Sequence, residues 1–149
     1  MKAKNFSLNN QEGKKISLKY FKGKWIVVYF YPKDDTPGCT TEAIAFTSLK
    51  NDFEKIGVVI LGISLDSEDS HCKFIDKHNL EITLLSDPDK KTLKDYGAYG
   101  KKMLYGKEVE GVIRSTFLIN PEGEIAFSWR NVKAEGHAQE VLSKLKELV

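Results

Sequence analysis

The longest apolar run in this chain, Trp25-Ile26-Val27-Val28-Tyr29-Phe30-Tyr31, is β-branched or aromatic throughout. A strand with one wet face would alternate apolar and polar, so an unbroken run predicts a strand buried on both faces. Val58-Val59-Ile60-Leu61-Gly62-Ile63-Ser64 repeats the pattern, and Thr83-Leu84-Leu85 is a shorter third strand. Thr116-Phe117-Leu118-Ile119 and Ile125-Ala126-Phe127-Ser128-Trp129 flank Asn120-Pro121-Glu122-Gly123. Those four residues are a strong turn signal, which predicts a hairpin. Near the N-terminus, Phe6-Ser7-Leu8 and Ile16-Ser17-Leu18 flank Asn9-Asn10-Gln11-Glu12-Gly13 and predict a smaller one.

Between these strands the apolar spacing becomes helical. Phe46, Leu49, Phe53 and Ile56 predict one helix stopped by Gly57. Asp66 or Ser67 caps a second helix carrying Phe74 and Ile75 on its apolar side. Pro88 begins a third that runs towards Tyr96-Gly97, and Val141, Leu142, Leu145 and Leu148 mark the last. After the N-terminal β-hairpin the order is β-α-β-α-β-α-β-β-α. Strands separated by helices need crossovers and pair in parallel, whereas the late hairpin adds an antiparallel edge. The expectation is an α/β, thioredoxin-like fold: a mixed central sheet flanked by helices on both faces. No repeat, low-complexity tract or linker interrupts it, so residues 1–149 read as a single domain.

Charge narrows the partners. The 149 residues carry 23 basic and 21 acidic side chains, a net +2. That balance gives no nucleic-acid or membrane surface. No apolar stretch reaches the roughly 18 residues of a membrane span. No apolar segment follows the first lysines as a signal peptide would require, so a cytoplasmic protein is expected. The two cysteines, Cys39 and Cys72, are then read as reactive or inert rather than as a structural disulfide.

The segment Pro32-Lys33-Asp34-Asp35-Thr36-Pro37-Gly38-Cys39 lies between a buried strand and a helix, where α/β sheets place their sites. It puts Cys39 in the first turn of that helix. Free backbone N–H groups and the helix dipole stabilise an anion there and favour the nucleophilic thiolate. Pro37 and Gly38 allow a sharp turn and a close approach of backbone to ligand. Thr36 offers a hydroxyl that both donates and accepts. Position alone leaves two readings open, a reactive thiolate and a buried, inert cysteine.

The spacing Pro-x-x-x-Thr-x-x-Cys at Pro32, Thr36 and Cys39 resembles the peroxiredoxin signature. The wider string from Tyr29 to Thr40 is similar to the bacterioferritin comigratory protein (PrxQ) subfamily. So are Leu61-Gly62-Ile63-Ser64, Leu84-Leu85-Ser86-Asp87 and Arg114-Ser115-Thr116-Phe117-Leu118-Ile119. The resemblance implies a thiol-dependent peroxidase acting on hydrogen peroxide and organic hydroperoxides. In it Cys39 is the peroxidatic thiolate that becomes a sulfenic acid. Thr36 hydrogen-bonds thiolate and peroxide, Pro32 shields the site from water, and Arg114 stabilises the charge moving onto the peroxide. Glu42, on the same helix as Cys39, orients that arginine. Arg114 is one of only two arginines against 21 lysines, and lysine cannot copy its planar donor fork. The other, Arg130, reads as a surface charge.

Many members of the subfamily carry a resolving cysteine five residues after the peroxidatic one, where this chain has Ile44. Others place it in the following helix, where Cys72 lies. Two cycles stay open: Cys72 resolves the sulfenic acid, or an outside thiol such as thioredoxin does. A monomer or weak homodimer without cofactor is expected. No metal is expected either, because His71, His78 and His137 are scattered and no Cys-x-x-Cys exists. The missing Cys-x-x-Cys also argues against a disulfide oxidoreductase on this fold. The complete set Pro32, Thr36, Cys39 and Arg114 argues against a catalytically silent interaction domain.

Overall fold

The computed structural model describes all residues 1–149. Its chain forms a seven-stranded sheet and a separate two-stranded one. The parallel centre is β3 (Trp25–Phe30), β4 (Val58–Ser64) and β5 (Thr83–Ser86). Beside β3 runs antiparallel β8 (Ser115–Ile119), which turns into β9 (Ile125–Arg130). The N-terminal hairpin, β1 (Ser7–Asn10) and β2 (Lys15–Ser17), covers the opposite edge by pairing β1 with β5. Asn10 shapes its turn by accepting the backbone N–H groups of Glu12 and Lys14 through Oδ1.

Side chains of a strand alternate between faces, and β3 buries both sets. Val27 and Tyr29, with Tyr31 just beyond, meet α1 (Pro37–Ser48), α2 (Lys50–Lys55), α3 (Glu68–His78) and α5 (His137–Leu148) in one core. Ile26, Val28 and Phe30 face the other core, covered by α4 (Lys91–Asp95), a 3-10 helix at Leu18–Phe21 and Phe6. The mixed sheet with helices on both faces is therefore present, unevenly loaded.

Three expectations about elements change. The helix predicted through Phe46 to Ile56 is two helices, divided at Leu49, whose ψ of 5° leaves the helical region. Phe46 and Phe53 are both fully buried across that step, while Leu49 and Ile56 are only half-buried. The third helix begins at Lys91 rather than Pro88, because Lys90 is left-handed with φ of 67°. Asp87 reaches over that turn to accept the Leu93 N–H, satisfying a free donor of the short helix. Finally, β6 (Tyr99–Leu104) and β7 (Lys107–Val112) form a hairpin that the pattern of the sequence does not show. Both strands are largely solvated, so no apolar face marks them. Their signal is Tyr105-Gly106, both with positive φ, the geometry of a tight hairpin turn.

Register delivers the functional ends. Tyr29 pairs with Thr116 and Phe30 with Ser115, so Arg114 emerges where β3 gives way to the loop before α1. The capping Ser67 of α3 starts a helix beside the same edge, with its hydroxyl accepting the Ser70 N–H. Gly62 lies opposite Tyr29 in β4. A Cβ there would come within 2.8 Å of the Tyr29 ring and 2.9 Å of Leu84. Gly62→Ala should therefore cost about 1–3 kcal/mol through overpacking. The expected signature is a lower urea midpoint with an unchanged slope; an unchanged midpoint would show that the ring shifts freely.

Candidate active site

Thr36 is the N-cap of α1, with Pro37 in its first turn, so Cys39 stands at the positive end of the helix. Its side chain faces the core and the residue is 1% exposed. One turn on, Glu42 points the same way and is wholly buried. Arg114 arrives from β8 and joins them. Its Nη1 donates to Glu42 Oε1 at 2.6 Å and its Nη2 to Cys39 Sγ at 3.3 Å. The guanidinium side chain keeps 16% of its surface in solvent, so this buried pair opens outward on the arginine side.

The electrostatics follow from burial. Loss of solvent pushes the Glu42 carboxyl up to about 7, against the pull of the Arg114 charge and hydrogen bond. Burial also works against the charge on Arg114, but Glu42 and the Cys39 sulfur outweigh it and hold the guanidinium above its ordinary range. Glu42 Oε2 has no partner, nor has the nearby Tyr29 hydroxyl, whose proton is held tightly by burial.

Pro32 and Thr36 flank the site in the loop between β3 and α1. The Thr36 hydroxyl donates to the Lys33 carbonyl at 2.8 Å, so its proton is committed and only its lone pairs face outward. It makes no hydrogen bond to Sγ. Gly38 has a different reason from the sharp turn expected of it. It lies within the helix, and a Cβ there would stand 3.1 Å from Arg114 Nη2. Glycine thus makes room for the guanidinium. Beside it, Gly38, Thr41, Arg114 and Val132 to Glu135 line an open cleft of about 590 Å³.

Cys72 is not part of this cluster. It is exposed on α3, whose buried side chains are His71 and Phe74. Arg130 is exposed and holds the Gly97 carbonyl. No group of three His, Cys, Asp or Glu side chains comes together to hold a metal. No helix is long and apolar enough to cross a membrane.

Comparison with known proteins decides what this cluster belongs to. The profile of the AhpC/TSA family matches residues 1–128. A bcp peroxiredoxin relative from Helicobacter pylori is 54% identical over 143 residues, covering 96% of this chain and 94% of the relative. The chain belongs to the AhpC/TSA family of peroxiredoxins. Peroxiredoxin Bcp of Bacillus subtilis is 44% identical over 147 residues, 99% of this chain and 94% of that one. Among solved structures, the Xanthomonas campestris bacterioferritin comigratory protein, studied for alkyl peroxide reduction, superposes with a TM-score of 0.90 at 44% identity. That match covers 95% of this chain and 90% of the other. The fold is accordingly thioredoxin-like, and this peroxiredoxin is a thiol-dependent peroxidase that takes peroxide and a thiol reductant.

Two groups near the cluster were not anticipated in any role. His137 starts α5 and is buried, with Nε2 2.7 Å from Thr116 Oγ1 and Nδ1 2.9 Å from Glu140 Oε1. Burial holds it below the usual histidine range despite Glu140, and Nδ1 donates to that carboxylate. Asp34 and His71, 2.7 Å apart, form the other group. His137 and Glu140 are neighbours on one helix turn, but packing of the helices on the sheet is what brings His137 to Thr116 and His71 to Asp34.

Glu42 also makes stability depend on pH. Its folded-state value lies above the unfolded 4.5, so between 4.5 and about 7 the folded chain binds more protons than the unfolded one. The cost of burying the ionised carboxylate is absent below 4.5 and complete above about 7. Wild type should therefore lose stability against Glu42→Gln as pH rises through that window, on the order of 3 kcal/mol in full. Urea midpoints of the two proteins across that window check it; parallel curves would show that the Arg114 pair fully compensates burial.

Proposed function

We propose that Cys39 is the peroxidatic nucleophile. The contact that carries this reading is the Arg114 fork, with one arm on Sγ and the other held by Glu42. A guanidinium fixed in this way is aimed before substrate arrives, so no reorganisation is needed as charge moves. The thiolate attacks the terminal peroxide oxygen and an S–O bond forms as O–O breaks. The released alkoxide or hydroxide takes a proton and leaves as alcohol or water, and Cys39 becomes a sulfenic acid. Thr36, its own proton engaged by Lys33, accepts from the peroxide O–H. Pro32 limits water at the thiolate.

Reduction, in this reading, is by an outside thiol, thioredoxin or a small one, acting in the cytoplasm on a monomer or weak homodimer. An attacking thiol forms a mixed disulfide with Cys39 and releases water; a second thiol then frees the cysteine. Supporting this are Ile44 at the fifth position after Cys39 and the exposure of Cys72 on the outer side of α3. A Cys39–Cys72 bond needs Cα atoms within roughly 7 Å, and α1 and α3 would have to open to supply it.

Cys39→Ser should abolish peroxide consumption with the fold intact, since serine is close in shape but a far weaker nucleophile. Residual turnover above a few per cent in peroxide-depletion assays would refute the role. Arg114→Lys should slow Cys39 oxidation about a hundredfold or more in stopped flow; near-normal rates would make Arg114 structural. For the cycle, one equivalent of peroxide should leave a trappable sulfenic acid on Cys39, and Cys72→Ser should turn over like wild type. An intramolecular disulfide seen by non-reducing mass spectrometry would return Cys72 to the resolving role.

A further inference from the structure

The loop carrying Pro32 and Thr36 is pinned to α3 by a buried polar cluster that takes no part in the chemistry above. Asp34 sits midway along it with its side chain 3% exposed. Its Oδ1 accepts from the Tyr31 hydroxyl at 2.5 Å. Its Oδ2 accepts from Ser70 Oγ at 2.8 Å and lies 2.7 Å from His71 Nδ1. The Asp34 backbone N–H donates to Asp66 Oδ2, which also accepts the Ser64 hydroxyl. His71 has no exposed side-chain surface, and its Nε2 donates to the Leu85 carbonyl in β5 at 3.0 Å. Every oxygen of the buried carboxylate and both ring nitrogens are thus occupied. A fully satisfied buried network of this kind rigidifies what it joins.

What it joins is specific. Asp34 is two residues after Pro32 and two before Thr36, in a loop that spans only the end of β3 to the start of α1. Asp35, next along, is held in the left-handed region with φ of 58°, and its carboxylate takes Lys77 and His78 of α3. A loop so short and so tethered cannot shift at Asp34 without moving the Thr36 hydroxyl and the first turn of α1. His71 is braced in turn against β5, so the sheet itself sets the height of the loop.

We propose that His71, acting through Asp34, is a positioning residue for peroxide attack: it sets the loop that presents Pro32 and Thr36 to Cys39. The inference rests on Cys39 being the nucleophile. His71 touches neither sulfur nor substrate, so it acts only through geometry. A misplacement of about 1 Å from a distant residue can cost up to about a hundredfold in rate.

The test separates the peroxide step from thiol reduction. His71→Leu keeps side-chain volume but loses both hydrogen bonds, whereas His71→Asn retains a donor near Nδ1 that can reach Asp34. His71→Leu should lower the second-order rate constant for Cys39 oxidation about tenfold or more, and His71→Asn should recover most of it. Reduction of preformed sulfenic acid by dithiothreitol should change less than the peroxide step in both. Equal losses in the two variants, or a wild-type rate constant in folded His71→Leu, would overturn the proposal. If His71→Leu does not fold, Asp34→Asn takes its place. It should show the same loss, and adding His71→Asn to it should cost nothing further because the two act as one unit; an additive loss would overturn the coupling. A dead Cys39→Ser beside an unaffected His71→Leu would remove this inference and leave the reading of Cys39 standing.

Discussion

Everything at this site depends on one charge held almost out of water. The Arg114 guanidinium is shared between a fully buried carboxylate and a nearly buried sulfur. Taking such groups from water costs more than their attraction readily returns, and the upward displacement of the Glu42 carboxyl records that cost. An arrangement retained against this penalty is poor economy as a folding device but effective preorganisation. The arginine cannot swing away while Glu42 holds Nη1, and Gly38 leaves the space for Nη2 to meet the sulfur.

The sheet makes that arrangement reproducible. Arg114 stands one residue before a strand whose register with β3 runs unbroken from Ile26↔Ile119 to Phe30↔Ser115. Cys39 begins the helix that follows β3, and Glu42 is one turn further along it. Arginine and thiol are therefore carried by segments that adjoin two neighbouring strands of one packed sheet, Arg114 just before β8 and Cys39 in the helix after β3. Supporting polar groups follow the same logic on either side, with His137 bridging Thr116 and Glu140 and the Asp34–His71 cluster tying the loop to α3 and β5. The same burial has a kinetic consequence. At 1% exposure Cys39 presents little surface to an attacking thiol, and it stands near a helix end, where local opening costs least.

How much of this was legible in the chain varied with the physical signal. Trp25 to Tyr31 and Val58 to Ser64 were readable as strands because burial on both faces leaves an apolar run. The β6–β7 hairpin was not, since two solvated strands carry no such run and only Tyr105-Gly106 marks the turn. The division at Leu49 was hidden because Phe46, Leu49, Phe53 and Ile56 keep helical spacing straight across it.

By itself the sequence determined the strand and helix order, the loop that holds Pro32, Thr36 and Cys39, and the likeness to peroxiredoxins. These are local properties, set by neighbours within a few residues of one another. Only the tertiary structure decided that Arg114, 75 residues from Cys39, donates to its sulfur. The same holds for Gly38, which yields space to that arginine, and for Cys72, which faces away into solvent. It also decided that Asp34 and His71, 37 residues apart, share a buried hydrogen bond. The physical reason is common to all of them: strand register and the packing of helices on the sheet set distances between side chains that no spacing along the chain contains.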